Sequence, residues 1–283
     1  MRGMLVRVLT GLVLIPIAVF LIFARGGLPF AIAIGVVSII GAFEFYGGAR
    51  KVGIRPVEWA GVLAIALLVV SARTYERSTI GSIFPAVMTL LLIFSFVVEM
   101  HRRKRSPLIN VGTTVLGAIY VGWLTSHLVA LRNHPGTVTV GPYTNEAGAW
   151  LVLLAFLCTW ACDTGAYFIG RSYGKTKLAA NLSPNKTVEG AAGGFFGSIL
   201  ISLIAGFVIN LPWYHAGIIG AMSGILSQVG DLSESTIKRE LGIKDFGRIV
   251  PGHGGVLDRF DSMLFTGPMV YYYVLIFLQN WPS

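Results

Sequence analysis

Charge is what this sequence has least of. Only 12% of its 283 residues are Asp, Glu, Lys or Arg, while 54% are hydrophobic; soluble domains run at about 25% charged. That balance excludes an ordinary water-soluble globule. Cysteine is nearly absent: Cys158 and Cys162 are the two present, one helical turn apart inside an apolar stretch, where a disulfide is geometrically poor and a metal site lacks further ligands. They read as small packing residues. The apolar runs are continuous and do not alternate, which argues against an outer-membrane barrel. No internal repeat is visible. No convincing small-residue cleavage site follows the basic start MRGMLVR, so the first apolar run is expected to remain as a span.

Long apolar runs are what the sequence has. They lie near 8–24, 28–47, 57–72, 80–98, 110–131, 148–169, 188–209, 214–229 and 263–280, each about long enough to cross a ~30 Å hydrocarbon core, the third and eighth least comfortably. The expected fold is all-α, a polytopic transmembrane helical bundle of about nine spans. With that count, every one of the 22 lysines and arginines except Arg25, Arg73, Arg77 and Arg132 falls on the side of the N-terminus, which places that side in the cytoplasm. The reading is a multi-pass protein of the inner, cytoplasmic membrane. The net charge of +9 then reflects topology and attraction to anionic headgroups, with no nucleic acid needed. Two regions follow: 1–105, about four spans with little chemistry, and 106–283, which carries cytoplasmic loops 170–187 and 230–262. Residues 132–147, rich in Pro, Gly, Thr and Asn, read as an external loop.

The scarce charges collect in 231–261, DLSESTIKRELGIKDFGRIVPGHGGVLDRFD. If 231–241 continues the preceding helix, Asp231, Ser235 and Lys238 share a face, and Gly242 is a plausible stop. Pro251-Gly252-His253-Gly254-Gly255 holds too much glycine for a helix and lets backbone N–H groups approach a phosphate. Asp258 and Asp261 follow at i and i+3. With Asp231 they form a carboxylate set able to hold hard divalent cations, and the neighbouring lysines and arginines suit a polyphosphate. The alternative is a solvated loop of paired charges.

Three other features carry chemistry. Asp163 lies about 10 Å inside its span, where a carboxylate needs a partner; it is a site residue or a structural hydrogen bonder. Ser183 and Pro184 look like a helix start, which would make Lys186 part of an anion site at a helix N-terminus. Beyond them, Gly190, Gly193, Gly194 and Gly197 have the small-x-x-x-small spacing of close helix packing, within or between subunits. Glu44, inside the second span, is a functional candidate by default or an interfacial glutamate paired with Arg50 or Lys51. The run His101 to Arg105 reads as a topology anchor. The GKTK at 174–177 is not a P-loop, because the G-x-x-x-x-G-K-S/T spacing and preceding strand are missing.

The run Ser235-x-x-Lys238-Arg239-x4-Lys244-Asp245, followed by His253-Gly254-Gly255-x2-Asp258-Arg259-x-Asp261, resembles the signature of bacterial-type CDP-diacylglycerol synthases, also called phosphatidate cytidylyltransferases. Asp163-Thr-Gly-Ala-Tyr-Phe168, Gly170-Arg171, Gly174-Lys175 and Ser183-Pro184-x-Lys186-Thr187-x-Glu189-Gly190 are similar to a second block of that family. The match covers roughly 160–262, with Val250 a minor departure. The resemblance implies magnesium-dependent transfer of CMP from CTP to phosphatidic acid, releasing pyrophosphate, at the cytoplasmic face of the bilayer, in a homodimer. It assigns Asp163, Lys186, Asp231, Asp258 and Asp261 to catalysis, with Asp231, Asp258 and Asp261 as ligands to one magnesium ion or two. Arg171, Lys175, Ser183, Lys186, Lys238, Arg239, Lys244, His253, Gly254, Gly255 and Arg259 are the expected substrate contacts. Asp163 would complete the metal site or orient Lys186, and His253 would donate to the leaving group or be a satisfied loop histidine. A transporter and a CTP-dependent lipid kinase are the rival readings. Against the first stand the missing repeat and the gathering of charge at one interface.

Overall fold

Apolar runs of this length, in a medium without water to satisfy backbone N–H and C=O groups, have the helix as their open solution. The computed structural model describes residues 2–73, 80–103, 106–249 and 254–282, with side chains from 11 in the first helix and from 83 in the fourth. The helices are α1 (Arg2–Phe23), α2 (Leu28–Lys51), α3 (Glu58–Arg73), α4 (Ile80–Met100), α5 (Pro107–Gly117), a π-helical turn (Ala118–Trp123), α6 (Leu124–Arg132), α7 (Ala147–Tyr173), α8 (Val188–Val208), α9 (Trp213–Glu240) and α10 (Leu257–Phe277). Since α5, the π turn and α6 run on as one stretch, each apolar run of the sequence falls on one helical stretch. Among the described residues six of these are long and apolar enough to cross a membrane: Leu28–Lys51, Ile83–Met100, Pro107–Arg132, Ala147–Tyr173, Val188–Val208 and Leu257–Phe277. The protein is therefore an all-α, polytopic membrane protein.

Two antiparallel hairpins interrupt the helices. One pairs β1 (Thr137–Val140) with β2 (Tyr143–Glu146), in the segment expected to be a plain loop. The other pairs β3 (Lys177–Ala179) with β4 (Ser183–Thr187). This second hairpin corrects the expected start of α8. Ser183 and Pro184 lie in a strand, and the helix begins at Val188, with Thr187 as N-cap, its Oγ1 accepting from Gly190 N at 3.1 Å.

The chain forms two compact units, Met1–Ala130 with Glu240–Phe260, and Leu131–Arg239 with Asp261–Ser283. The sequence division at 105 is not the one compactness draws, since 240–260 packs with the first helices. In the first unit Tyr46 donates to the Thr114 carbonyl at 2.8 Å, and its ring fills the space beside Gly61 and Gly117. Ser38 and Thr125 share a hydrogen bond of 2.7 Å. Glu99, buried, takes Arg102 at 2.6 Å, Asn110 Nδ2 at 2.9 Å and Ser106 N at 3.1 Å, so Arg102, expected as a topology anchor, braces the end of α4. Lys104 and Arg105 lie outside the described residues.

In the second unit α7 and α8 pack closely. A Cβ on Gly193 would fall 2.5 Å from Ile169, and one on Gly194 2.7 Å from the Cys162 carbonyl. The glycine spacing is thus used within the chain, where small residues let backbones approach. Helix α9 joins the pair through Ser198 to the Gly220 carbonyl at 2.9 Å and Ser202 to the Ala216 carbonyl at 2.7 Å. Cys158 and Cys162 are free and buried.

Candidate active site

The second unit brings Lys186 and Asp231 together. Helix α9 runs on through the polar island to Glu240, as the sequence suggests, and Gly242 follows in the left-handed region at φ 62°. That continuation carries Asp231 out of the apolar part of α9, and the β3–β4 hairpin lays Lys186 against it, Nζ to Oδ2 2.5 Å. Both side chains are partly exposed. One residue earlier, Gly230 is buried, and a Cβ there would lie 2.6 Å from the Asp261 carbonyl oxygen and 3.2 Å from Ser262 Cα. Helices α9 and α10 therefore cross in close backbone contact where Asp231 and Asp261 stand. Asp261 Oδ1 accepts from Ser262 N at 2.6 Å.

Three basic residues of this unit, Lys238, Arg239 and Arg171, are already engaged. Lys238 pairs with the buried Glu234 at 2.7 Å, one turn away. Arg239 Nε donates to the Leu182 carbonyl at 3.2 Å, joining the end of α9 to the hairpin. Arg171 Nη1 donates to Tyr167 Oη at 2.7 Å with its guanidinium near that ring. Lys175 is exposed, and its backbone N, with that of Thr176, donates to Glu189 at 3.1 and 3.2 Å, which fixes the turn into the hairpin. Asp163 lies within the candidate span Ala147–Tyr173, on the exposed surface of α7 beside buried Cys162. Ser183 is half-buried in β4.

In the first unit the loop leading into α10 is held by two carboxylates. Asp258 is 5% exposed, and its Oδ2 accepts from Phe246 N at 3.0 Å and Gly255 N at 2.7 Å. Gly254 turns through the left-handed region at φ 86°, and a Cβ on it would fall 2.8 Å from the same Oδ2. Glu44 of α2 is also buried, and its Oε1 and Oε2 accept from Val256 N at 3.1 Å and Leu257 N at 2.8 Å. This replaces the expected partnership with Arg50 or Lys51; Arg50 pairs with Glu58 at 2.9 Å instead. The expected backbone cradle changes too. The Gly255 amide donates to Asp258, and Pro251, Gly252 and His253 lie outside the described residues. Lys244 and Arg259 are exposed.

Glu44 is one of the residues whose role the sequence left undecided. Its signal lay in two places at once: a lone carboxylate in an apolar run, and a helix at Leu257 preceded by Gly254-Gly255-Val256, with none of the side chains that usually cap.

Among the described residues no three carboxylate, imidazole or thiol side chains stand together as a preassembled metal group. Magnesium does not need one. It is commonly held by one or two carboxylates together with substrate phosphates and retained waters. A close crossing at Asp231 and Asp261, with an ammonium already standing on Asp231 in the place of a cation, fits an ion that arrives with a nucleotide.

The family model described as "Cytidylyltransferase family" matches residues 5–277. A phosphatidate cytidylyltransferase of Synechocystis sp. is 34% identical over 96% of this chain and 97% of its own length. One of Bacillus subtilis is 33% identical over 96% and 97%. A third, of Staphylococcus saprophyticus, is 46% identical over 45% of this chain and 50% of its own. With a match that runs nearly end to end, the chain belongs to the cytidylyltransferase family.

Proposed function

We propose that this protein transfers CMP from CTP to phosphatidic acid, forming CDP-diacylglycerol and pyrophosphate. The observation that carries the reading is the Lys186–Asp231 pair, set beside the α9–α10 crossing in a membrane protein whose end-to-end relatives bear the name phosphatidate cytidylyltransferase. A phosphate oxygen of phosphatidate attacks the α-phosphorus of CTP, the bond to the β-phosphate oxygen breaks, and pyrophosphate leaves. The nucleophile is a phosphate monoester whose second pKa of about 6 leaves it largely ionised near neutrality, so no strong general base is required.

The obstacle is the meeting of two anions, and the side chains of this site address that. Asp231 and Asp261, with Asp258 one turn back on α10, are the groups that would hold magnesium. When bound, magnesium would neutralise the triphosphate and the departing pyrophosphate, the main catalytic contribution in transfers of this kind. Lys186, on release from Asp231, is placed to meet a phosphate as a point charge. Lys238, Arg239, Arg171, Lys175, Lys244 and Arg259 are the further cations proposed to meet substrate phosphates, and Asp163 is proposed to orient Lys186 or the ion.

Both substrates can reach such a site at the cytoplasmic interface of the inner membrane, because phosphatidate presents its headgroup there and CTP is soluble. The bias of basic residues supports that orientation. The homodimer rests on the family resemblance; the glycine stripe of α8 does not add to it, being used on α7.

The test is to incubate purified protein with phosphatidate, CTP and magnesium and to identify the products. Pyrophosphate with CDP-diacylglycerol is expected. Release of CDP would instead indicate a lipid kinase, and no nucleotide turnover would refute the assignment.

A further inference from the structure

Glu44 stands outside the polar island, more than two hundred residues away in sequence, in a candidate span whose other charges are Arg50 and Lys51 at its end. Its carboxylate faces the start of α10. Two of the backbone donors there, Val256 N and Leu257 N, donate to its two oxygens. The first turn of a helix has such donors unsatisfied by the helix itself, and a carboxylate is the group its positive end favours. Two glycines make room for this contact. A Cβ on Gly255 would lie 2.5 Å from Oε1, and Gly247 likewise presses on the carboxylate with its bare backbone. Larger residues at either position would displace Glu44 or the loop.

Asp258 sits one residue past Leu257. Its own Oδ2 is fixed by Phe246 N and Gly255 N, so Glu44 and Asp258 together accept from four backbone amides, those of Phe246, Gly255, Val256 and Leu257. Phe246 is buried and stacks on Phe45, the residue after Glu44, with ring centroids 6.1 Å apart. Helix α2 therefore holds the loop twice, once by ring and once by carboxylate.

We propose that Glu44 is a positioning residue for the reaction: by capping α10 from α2, it sets where Asp258 presents its carboxylate to the metal–nucleotide complex. This rests on the metal reading of Asp258 given above. Partners one shell out from a metal ligand typically alter metal affinity or activity 10–100-fold, and Glu44 holds the backbone on which this ligand is mounted.

The experiment compares wild type with Glu44→Gln, which preserves shape but replaces one acceptor by a donor facing Leu257 N, and Gly247→Ala, whose methyl would press on the carboxylate at Oε1. Three quantities are measured on purified protein: hydrogen exchange at 254–260, Mn2+ affinity in the presence of CTP by electron paramagnetic resonance, and the magnesium concentration giving half-maximal pyrophosphate release. Expected in both variants are faster exchange at Val256 and Leu257, Mn2+ binding weakened about tenfold, and a similar rise in half-saturating magnesium, with kcat largely recovered at excess magnesium. A purely structural role would lower the yield of folded protein and leave the magnesium requirement of the survivors unchanged, and that result overturns the proposal. A wild type that neither binds Mn2+ nor releases pyrophosphate would count against the function itself. A competent wild type beside variants of unaltered Mn2+ affinity would count against Glu44 alone.

Discussion

Asp258→Asn is the substitution that most sharply separates a metal ligand from a loop clamp, because the structure shows Asp258 working as a clamp already. Its Oδ2 accepts two backbone N–H groups at 3.0 and 2.7 Å in a buried setting. Asparagine keeps an oxygen that can accept both, and loses the charge. Hydrogen bonds to charged groups contribute roughly 1.5–3 kcal/mol and neutral ones about 0.5–1.5, so two such bonds should weaken by about 2 kcal/mol in all. Alanine would leave Phe246 N and Gly255 N buried without an acceptor, at about 1–3 kcal/mol each, so it should destabilise by roughly 2–6 kcal/mol. Catalysis should follow a different order. If the carboxylate helps hold a cation whose charge stabilisation is worth several kcal/mol, losing about 4 kcal/mol of it slows turnover roughly a thousandfold, at 1.36 kcal/mol per factor of ten. Both variants should then be nearly inactive, though only alanine is severely unstable. The assays are pyrophosphate release at saturating magnesium, CTP and phosphatidate, and survival of folded protein on size exclusion after heating. An asparagine variant with kcat within tenfold of wild type, and stability lowered by the expected amount, would refute the metal assignment and leave Asp258 a clamp.

Lys186→Ala should raise KM for CTP or phosphatidate at least tenfold while hardly changing thermal stability, since a half-exposed ion pair contributes only about 0–1 kcal/mol; unchanged KM for both substrates in steady-state kinetics would remove it from the site. Gly230→Ala places a methyl against the Asp261 carbonyl, a backbone atom with no side-chain freedom to yield, so overpacking of about 1–3 kcal/mol and a fall in kcat are expected; wild-type kcat and melting would show that the α9–α10 crossing is loose. Thr187→Ala should destabilise by about 1 kcal/mol through loss of the cap on α8, whereas Ser183→Ala should not, and thermal melting of the two variants distinguishes the observed helix start from the one expected at 183.

The helices were readable because a bilayer leaves an apolar run of twenty residues few other conformations. The end of α9 at Glu240 was readable for the same kind of local reason, since Gly242 takes a conformation most residues avoid. The start of α8 was not. Ser183 and Thr187 are both good caps, and what decides between them lies elsewhere in the chain. Residues 183–187 pair with Lys177–Ala179, and Lys177 Nζ donates to the Pro184 carbonyl at 2.6 Å. Pro184, which reads as a helix opener, is equally at ease in the edge strand of a two-stranded hairpin, where its missing N–H goes unnoticed. Glu44 failed differently. A lone carboxylate in a span announces that it has a partner, but that partner is a pair of backbone amides on another helix, and backbone amides leave no mark in a sequence.

The same amides decide what kind of phosphate site this is. Two helix starts flank the polar segments, and a free helix N-terminus is a ready anion site. At each, backbone donors are already taken by acceptors of the protein. At α10, Val256 N and Leu257 N donate to Glu44 and Gly255 N to Asp258. At α8, Val188 N donates to the Thr176 carbonyl at 2.9 Å and Gly190 N to Thr187 Oγ1. A triphosphate arriving at these ends would meet carboxylates and filled amides. On the proposed function, recognition of the nucleotide would fall to side-chain cations and to metal ions held by carboxylates, both of which can be exchanged between protein partners and substrate. Lys186 stands on Asp231, in the position a cation would take on that reading. A site of this design binds CTP only together with its counter-charges, so nucleotide affinity should depend on divalent metal far more steeply than it would at a P-loop built from backbone amides. Titration of CTP into the purified protein at rising magnesium concentrations measures that dependence, and CTP affinity indifferent to magnesium would contradict the reasoning.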